Sequence, residues 1–313
     1  MSKVWFVTGS SRGLGRALVE VALEAGDRVA ATARHPERLH DLFDKYGDAL
    51  LLMRLDVTDY DAAARVVARA EETFGRIDVV VNNAGYSDLG SFEDTTIDSF
   101  RTQIDTNFYG VVNVSKAAVP VLREQGSGHI FQVASLSVRL SAPGLTAYQA
   151  AKWAVAGFSS GLAQEIAPFG VKVTILEPGG MRTDWAGSSM TIPQPSMPYQ
   201  PTIAAFAELV RAGSGHEATE SRRVAQVVRD LAGRDDAPLR LLLGTDAMPM
   251  AQQAAQELAA SDEAWREVSL SVSDGTPPTA DALKSREKAD MADFGDGAHP
   301  TAGILETSAR GRR

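Results

Sequence analysis

The chain has 313 residues, 44% of them hydrophobic, and its 31 Lys and Arg against 40 Asp and Glu leave a formal net charge of −9. That balance excludes a largely disordered polyelectrolyte and speaks against a nucleic-acid-binding surface. The lack of cysteine removes disulfides, thiolate nucleophiles and cysteine zinc sites, and five scattered histidines without an H-E-x-x-H arrangement give no basis for a metal centre. The length admits two domains or one enlarged α/β domain. The opening residues turn polar at Thr8-Gly9-Ser10, too soon for a signal peptide or a membrane span, so a soluble cytoplasmic protein with no membrane partner is expected.

Short apolar runs alternate with longer segments of helical period, the pattern of a parallel sheet covered by helices on both faces. Strands are expected at Val4–Thr8, Arg28–Ala33, Leu50–Val57, Ile77–Asn82, His129–Ser135, Val171–Glu177 and Leu239–Leu243, which gives an α/β, Rossmann-like doubly wound sheet of seven strands. Several of these are near-continuous apolar runs, as strands buried on both faces should be. Between the first two, Leu14, Leu18, Val21, Ala22 and Ala25 recur at spacings of three and four and Gly26 stops the run, which predicts an amphipathic helix. Pro36 opens a second helix where proline is tolerated, and Thr58 is the expected N-cap of a third that runs to Phe74. Long helical segments are expected at Asp98 to Gln125 and Tyr148 to Phe169.

Two regions break this rhythm. Residues 183–200 carry Trp185, Met190, Met197 and the prolines Pro193, Pro195 and Pro198, with Pro201 just beyond. The stretch is too proline-rich for a helix and too apolar for a plain linker, and reads as a loop covering something, part of a lid over 183–222. Residues 274–313 hold eight Gly or Pro and only five large apolar side chains, Leu283, Met291, Phe294, Ile304 and Leu305. They bury too little surface to offset their ordering entropy, so a mobile tail with one short helix at 280–292 is expected after a domain spanning 1–273. The triplet Asp293-Phe294-Gly295 matches a kinase motif, but nothing else of a kinase accompanies it and it is taken as chance.

The first strand runs into Thr8-Gly9-Ser10-Ser11-Arg12-Gly13-Leu14-Gly15, and the first helix starts at once. Glycines there permit a tight turn, close approach of backbone to a phosphate and close packing of helix on strand, while the N–H groups at the helix start face the anion. The G-x-x-x-G-x-G spacing departs from the G-x-G-x-x-G fingerprint, so the rival is an ordinary strand-to-helix turn; the flanking strand and helix favour nucleotide binding. Sites that prefer NAD place an acidic residue at the end of the second strand, whereas NADP sites use space and arginine. This chain reads Ala31-Thr32-Ala33-Arg34, with no carboxylate. Arg34 and Arg12 offer planar charged forks to a 2′-phosphate, the alternative being two solvated surface arginines, and NADP(H) is expected in preference to NAD(H).

Tyr148 and Lys152 stand one turn apart at the start of a long helix. An ammonium beside a phenol favours the phenolate and draws its pKa down from about 10 toward the range of an acid/base catalyst. Ser135, 13 residues earlier, ends a strand, where open α/β sheets place ligand-contacting residues. Singly, each has a plain structural alternative: a tyrosine capping the core, a snorkelling lysine, a serine closing a strand. Taken with Thr8-Gly9-x-x-x-Gly13-x-Gly15, Asp56-Val57, Asn82-Asn83-Ala84-Gly85, Asn107 and Pro178-Gly179 with Thr183, they give a pattern that resembles the single-domain short-chain dehydrogenases/reductases. With Ala31 to Arg34 and the extended loop after Thr183, it looks most like the branch that includes hydroxysteroid and retinol dehydrogenases and bacterial ketone reductases.

The resemblance implies a role for each position. Ser135 would hydrogen-bond the substrate carbonyl, Tyr148 would supply the proton, Lys152 would bind the nicotinamide ribose and lower the tyrosine pKa, and Asn107 would hold a water linking Lys152 to solvent. Asp56 would meet the adenine amino group and Val57 would add a backbone contact. The stretch Asn82 to Gly85, with Asn83, Ala84 and Gly85 as cofactor contacts, would floor the adenosine ribose, and Pro178, Gly179 and Thr183 would border the nicotinamide. Gly9, Ser11, Arg12, Gly13, Leu14 and Gly15 would hold the phosphates. Leu136, Val138, Leu140, Pro143, Tyr86, Leu89, Phe92 and the loop from Trp185 to Tyr199 are expected to wall a pocket for a hydrophobic ketone, aldehyde or alcohol. Rival readings on this scaffold are an idle NADP-binding redox sensor and a dehydratase or epimerase. Pairing through the 98–125 and 148–169 helices would give a homodimer or homotetramer.

Overall fold

The structure, a computed structural model, describes residues 2–183 and 190–273; Trp185, the expected tail with its helix at 280–292 and the Asp293-Phe294-Gly295 triplet lie outside the described residues. Strands β1 (Val4–Thr8), β2 (Arg28–Ala33), β3 (Leu50–Arg54), β4 (Val79–Asn82), β5 (Gly128–Val133) and β6 (Val171–Pro178) are followed by the short β7 (Met181–Arg182) and β8 (Thr219–Glu220), then β9 (Arg240–Leu243). Seven of them form one sheet in the order β3-β2-β1-β4-β5-β6-β9, all pairs parallel, while β7 pairs with β8 apart from it. The order reverses between β1 and β4, so a crevice opens beyond the C-terminal ends of these strands, where open α/β sheets bind ligands.

The two-residue period of the strands sorts side chains onto opposite faces. Trp5 and Val7 pack with α1 (Gly13–Glu24) and α8 (Ser221–Leu231), whereas Val4 and Phe6 pack with α3 (Tyr60–Phe74), α5 (Gly110–Gln125) and α6 (Thr146–Ile166). The remaining helices are α2 (His40–Tyr46), α4 (Ile97–Ile104), α7 (Ala205–Gly213), α9 (Ala247–Ala264) and α10 (Arg266–Leu270). Among the described residues no helix is long and apolar enough to cross a membrane. The chain divides into two compact units, Met1–Gln256 and Glu257–Arg313; the sheet and every site residue considered below belong to the first.

Several boundaries differ from the sequence reading. Strand β3 ends at Arg54, where its pairing with Ala33 ends, and Asp56 folds back on its own turn, accepting from the Thr58 amide (3.1 Å) and hydroxyl (2.8 Å). Thr58 is thereby occupied, and Asp59, in extended backbone, is the N-cap of α3, accepting from the Ala62 amide. The expected helix 98–125 is two helices joined by a π-helical turn, Asp105–Tyr109. Within the supposed loop, Met197–Tyr199 and Gln200–Ala204 form helical turns leading into α7. Pro198 and Pro201 sit at the starts of these turns, where a missing N–H costs nothing, so they initiate helix rather than exclude it, while Pro193 and Pro195 lie in irregular chain before them.

Candidate active site

The glycine turn joins β1 to α1 under tight constraint. Gly9 has a φ of +65°, and a Cβ there would meet Ala84 Cα at 2.8 Å; one at Gly15 would run into the carbonyl of Gly9 and the side chain of Asn83. Asn83 Nδ2 donates to the carbonyls of Thr8 (2.9 Å) and Gly9 (3.2 Å), while the Thr8 hydroxyl accepts from the amides of Asn83 (2.9 Å) and Ala84 (3.0 Å). The turn after β1 and the segment after β4 are thus one unit. Leu14 points into the core, leaving only its backbone for a ligand. No side chain caps α1 at Arg12, unlike α3 and α4, capped by Asp59 and Thr96. Its first N–H groups are therefore presented for an anion, and the turn fits a dinucleotide pyrophosphate.

Of the other expected cofactor contacts, one is shown at this turn. Thr183 lies against Gly13, 3.6 Å from where a Cβ would sit. Arg12 is half-buried and Arg34 exposed at the tip of β2, and neither enters an ion pair among the described residues. Arg16, by contrast, is committed to Glu20 (2.8 Å) and Asp41. Val57 packs its side chain on Gly110 and gives its carbonyl to Asn113 Nδ2 (2.9 Å). Pro178 is buried at the end of β6, and the Gly179 amide donates to Leu243 (2.9 Å).

The catalytic candidates converge on the same edge of the sheet. Ser135 follows β5 and accepts from the Ser137 amide (3.1 Å); its hydroxyl also hydrogen-bonds Tyr148. Lys152 Nζ donates to the Val133 carbonyl (2.7 Å) and lies 5.8 Å from the Tyr148 ring centre. Asn107 sits in the π turn, fully buried, where Nδ2 donates to the carbonyls of Tyr86 (2.8 Å) and Gln103 (2.9 Å) and Oδ1 accepts from the Tyr86 amide (3.2 Å). The extra residue of a π turn rotates one side chain out of the helical register, and here that side chain faces the site. Asn107 Oδ1 and Lys152 Nζ meet over Gly85, where a Cβ would stand 2.5 and 3.5 Å from them.

Electrostatics depart from the sequence expectation. Burial raises the Tyr148 phenol to about 12, only partly offset by the hydrogen bond to Ser135, and burial lowers the Lys152 ammonium to about 8. The expected lowering of the tyrosine is absent because desolvation of the phenolate outweighs a lysine turned toward Val133. At neutral pH the pair is a neutral phenol beside an ammonium, which is the proton-donating state.

Tyr148 is also part of a packed apolar cluster. It packs with Leu89, Leu145, Met190, Ile203 and Ala207, and Ala142, Ile192, Tyr199, Phe206 and Val210 border them. Residues 190–199 are held to the segment after β4 by Leu89 N–H to Thr191 (2.9 Å), Thr191 N–H to Asp88 (3.2 Å) and Tyr199 OH to Glu93 (2.8 Å). Four expected walls are elsewhere: Val138 packs with Val111, Val155 and Ile175, Leu136 and Leu140 pack with Ala247 and Ala251, and Phe92 is 69% exposed. The sequence reading missed Ile203 and Phe206, hidden beyond Pro201, and two carboxylates. Asp246 accepts from the Gly180 amide (2.8 Å) and crowds Gly179; Glu177 lies buried beside Pro178. The signal for Glu177 was a carboxylate directly after the apolar pair Ile175-Leu176 at the end of the strand.

Residues 3–191 match the family model described as short chain dehydrogenase, and this chain belongs to the short-chain dehydrogenase family, as an oxidoreductase. It is 56% identical over 271 residues to Oxidoreductase BOA17 of Botryotinia fuckeliana, covering 86% of this chain and 99% of that one. A short-chain dehydrogenase from Streptomyces avermitilis, 36% identical, superposes with a TM-score of 0.81 over 87% of this chain and all of the other. An alcohol dehydrogenase from Thermococcus sibiricus, complexed with 5-hydroxy-NADP, is 26% identical with a TM-score of 0.65, covering 78% and 97% of the two chains. Other structures of this fold hold NADP or NAD.

Proposed function

We propose that this oxidoreductase uses NADP(H) to interconvert a ketone or aldehyde and an alcohol on a hydrophobic substrate. The observation that carries the reading is the convergence of Ser135, Tyr148, Lys152 and Asn107 at the sheet edge beside the glycine turn, under an apolar lid. When bound, the nicotinamide supplies or accepts the hydride. Gly9 to Gly15 and Thr183 would hold the dinucleotide, with Asp56, Val57 and Asn83 to Gly85 on its adenosine side and Pro178 and Gly179 on the other. Arg12 and Arg34, uncommitted to carboxylates among the described residues, would receive the 2′-phosphate, the feature that favours NADP(H) over NAD(H).

In the reductive direction Ser135 donates a hydrogen bond to the substrate oxygen, so that negative charge gathers at a prepared donor. Tyr148 delivers its proton to that oxygen, and the Lys152 ammonium stabilises the phenolate left behind. Asn107 holds a water through which Lys152 exchanges a proton with solvent. The apolar side chains of Leu89, Leu145, Met190, Ile203 and Phe206 exclude bulk water and select a hydrophobic substrate. A homodimer or homotetramer would pair through α4–α5 and α6, where Tyr109 and Trp153 stand exposed; light scattering distinguishes these states.

The test follows cofactor absorbance with NADPH and with NADH against acetophenone, 2-octanone, hexane-2,3-dione and hexanal. Oxidation of NADPH at a higher kcat/KM than NADH, with alcohol formed, supports the reading. Binding of NADPH without turnover of any of them, or preference for NADH, contradicts it.

A further inference from the structure

Glu177 is a fully buried carboxylate at the C-terminal end of β6. Two arginines grip it from different segments: Arg139 Nε donates to Oε2 (2.7 Å) and Nη2 to Oε1 (3.4 Å), and Arg240 Nε donates to Oε1. Both arginines are about one-third exposed, so only the carboxylate is wholly removed from water. Taking a carboxylate out of water is costly, pairing repays that cost only in good geometry, and apolar residues of similar size often serve stability as well or better. The clamp is therefore poorly explained by stability and better explained by what it holds in place.

What it holds is the frame of the site. Arg139 closes the short turn that Ser135 caps: the amides of Ser137 and Val138 donate to the Ser135 side chain and carbonyl, and the Arg139 amide donates to Leu136. Glu177 is followed directly by Pro178 and Gly179, and Arg240 begins β9, whose far end receives the Gly179 amide at Leu243. The forked guanidinium of Arg139 fixes both distance and angle to a carboxylate. We propose that the Arg139–Glu177–Arg240 clamp is a positioning device that sets the Ser135 turn against the Pro178–Gly179 segment, and so the substrate oxygen against the hydride-transferring face of the site. These are positioning residues, with no contact to substrate assigned to them, and the inference rests on the function proposed above.

Glu177→Gln and the apolar triple variant Arg139→Met/Glu177→Met/Arg240→Met test it, compared with the unaltered full-length chain. The triple variant covers the case in which Glu177→Gln alone fails to fold, because it leaves no unpaired buried charge. Backbone hydrogen exchange without any cofactor is expected to quicken about tenfold or more in 135–140 and 178–183 and to stay unchanged in 8–16, with the melting temperature of the triple variant kept or raised. With NADPH and hexane-2,3-dione, kcat is expected to fall about 100-fold while KM for NADPH shifts less than about threefold, as a misplacement near 1 Å would produce. Unchanged exchange in those two segments, or a kcat equal to that of the unaltered chain in the folded triple variant, overturns the proposal. If the unaltered chain turns over no carbonyl, the function fails, and the exchange pattern alone still decides whether the clamp positions these segments.

Discussion

Lys152 is the costliest residue in the site. Lowering its ammonium from 10.5 to about 8 means that the folded chain disfavours the charge the unfolded chain carries freely, a penalty of about 3 kcal/mol at neutral pH. Lys152→Met should therefore raise the melting temperature by several degrees while abolishing turnover, a trade visible by calorimetry and NADPH oxidation on one sample. The same value gives a pH dependence: kcat/KM for NADPH, which reports groups of the free protein, should fall as pH rises through about 8 and the ammonium is lost. A profile flat from pH 7 to pH 9 would remove Lys152 from the mechanism. Ser135, Tyr148 and Lys152 were legible as candidates because their chemistry lies in residue type and spacing, whereas Asn107 came only from the family resemblance. The direction of the Tyr148 shift was not legible, since it depends on burial by Leu89, Leu145 and Ile203, side chains brought together from three distant segments.

At the scale of elements, strands and their order follow from apolar runs, whereas the ends depend on which neighbouring polar residue is already engaged. Thr58 and Asp59 are both good caps in isolation; Asp56 takes Thr58, and α3 is left to Asp59. Asp59→Ala should accordingly lower stability by about 1 kcal/mol in urea unfolding with an unchanged slope, as loss of a side-chain cap does elsewhere. Thr58→Ala should cost less, and the reverse order would contradict the assignment. The π turn that carries Asn107 was illegible because Asp105 to Tyr109 are individually compatible with an ordinary helix. The helical start of the lid was hidden by prolines, which mark loops in mid-segment and helix starts at N1. Glu177 and Asp246 were overlooked for a related reason: their partners, Arg139, Arg240 and Gly180, are distant in sequence and adjacent only once β6 and β9 pair.

At the scale of the whole molecule, a second group that makes stability depend on pH lies at the opposite end of the strands from the candidate site. His129, at the N-terminal end of β5, is buried against Phe131 with Nε2 on the Thr174 hydroxyl (2.9 Å), and burial, helped by Lys172, lowers it to about 3 from 6.5. The folded chain keeps it neutral, so its stabilising effect is complete above about pH 6.5 and is lost as the pH falls toward 3. Between pH 7 and pH 5 the unfolding free energy should drop by about 2 kcal/mol from this residue alone, and His129→Leu should remove that part of the slope. An acid dependence that persists unaltered in the variant would assign it to carboxylates instead. In a chain of net charge −9, Arg12 and Arg34 enter no ion pair among the described residues, which is why they are proposed to receive a 2′-phosphate. Tyr148→Phe tests the proposed proton transfer most directly because it removes one oxygen from a packed ring. Measured on the same preparation, NADPH affinity should stay within about threefold while kcat for carbonyl reduction falls about 1000-fold. Turnover retained within a factor of ten, with binding intact, would contradict the account.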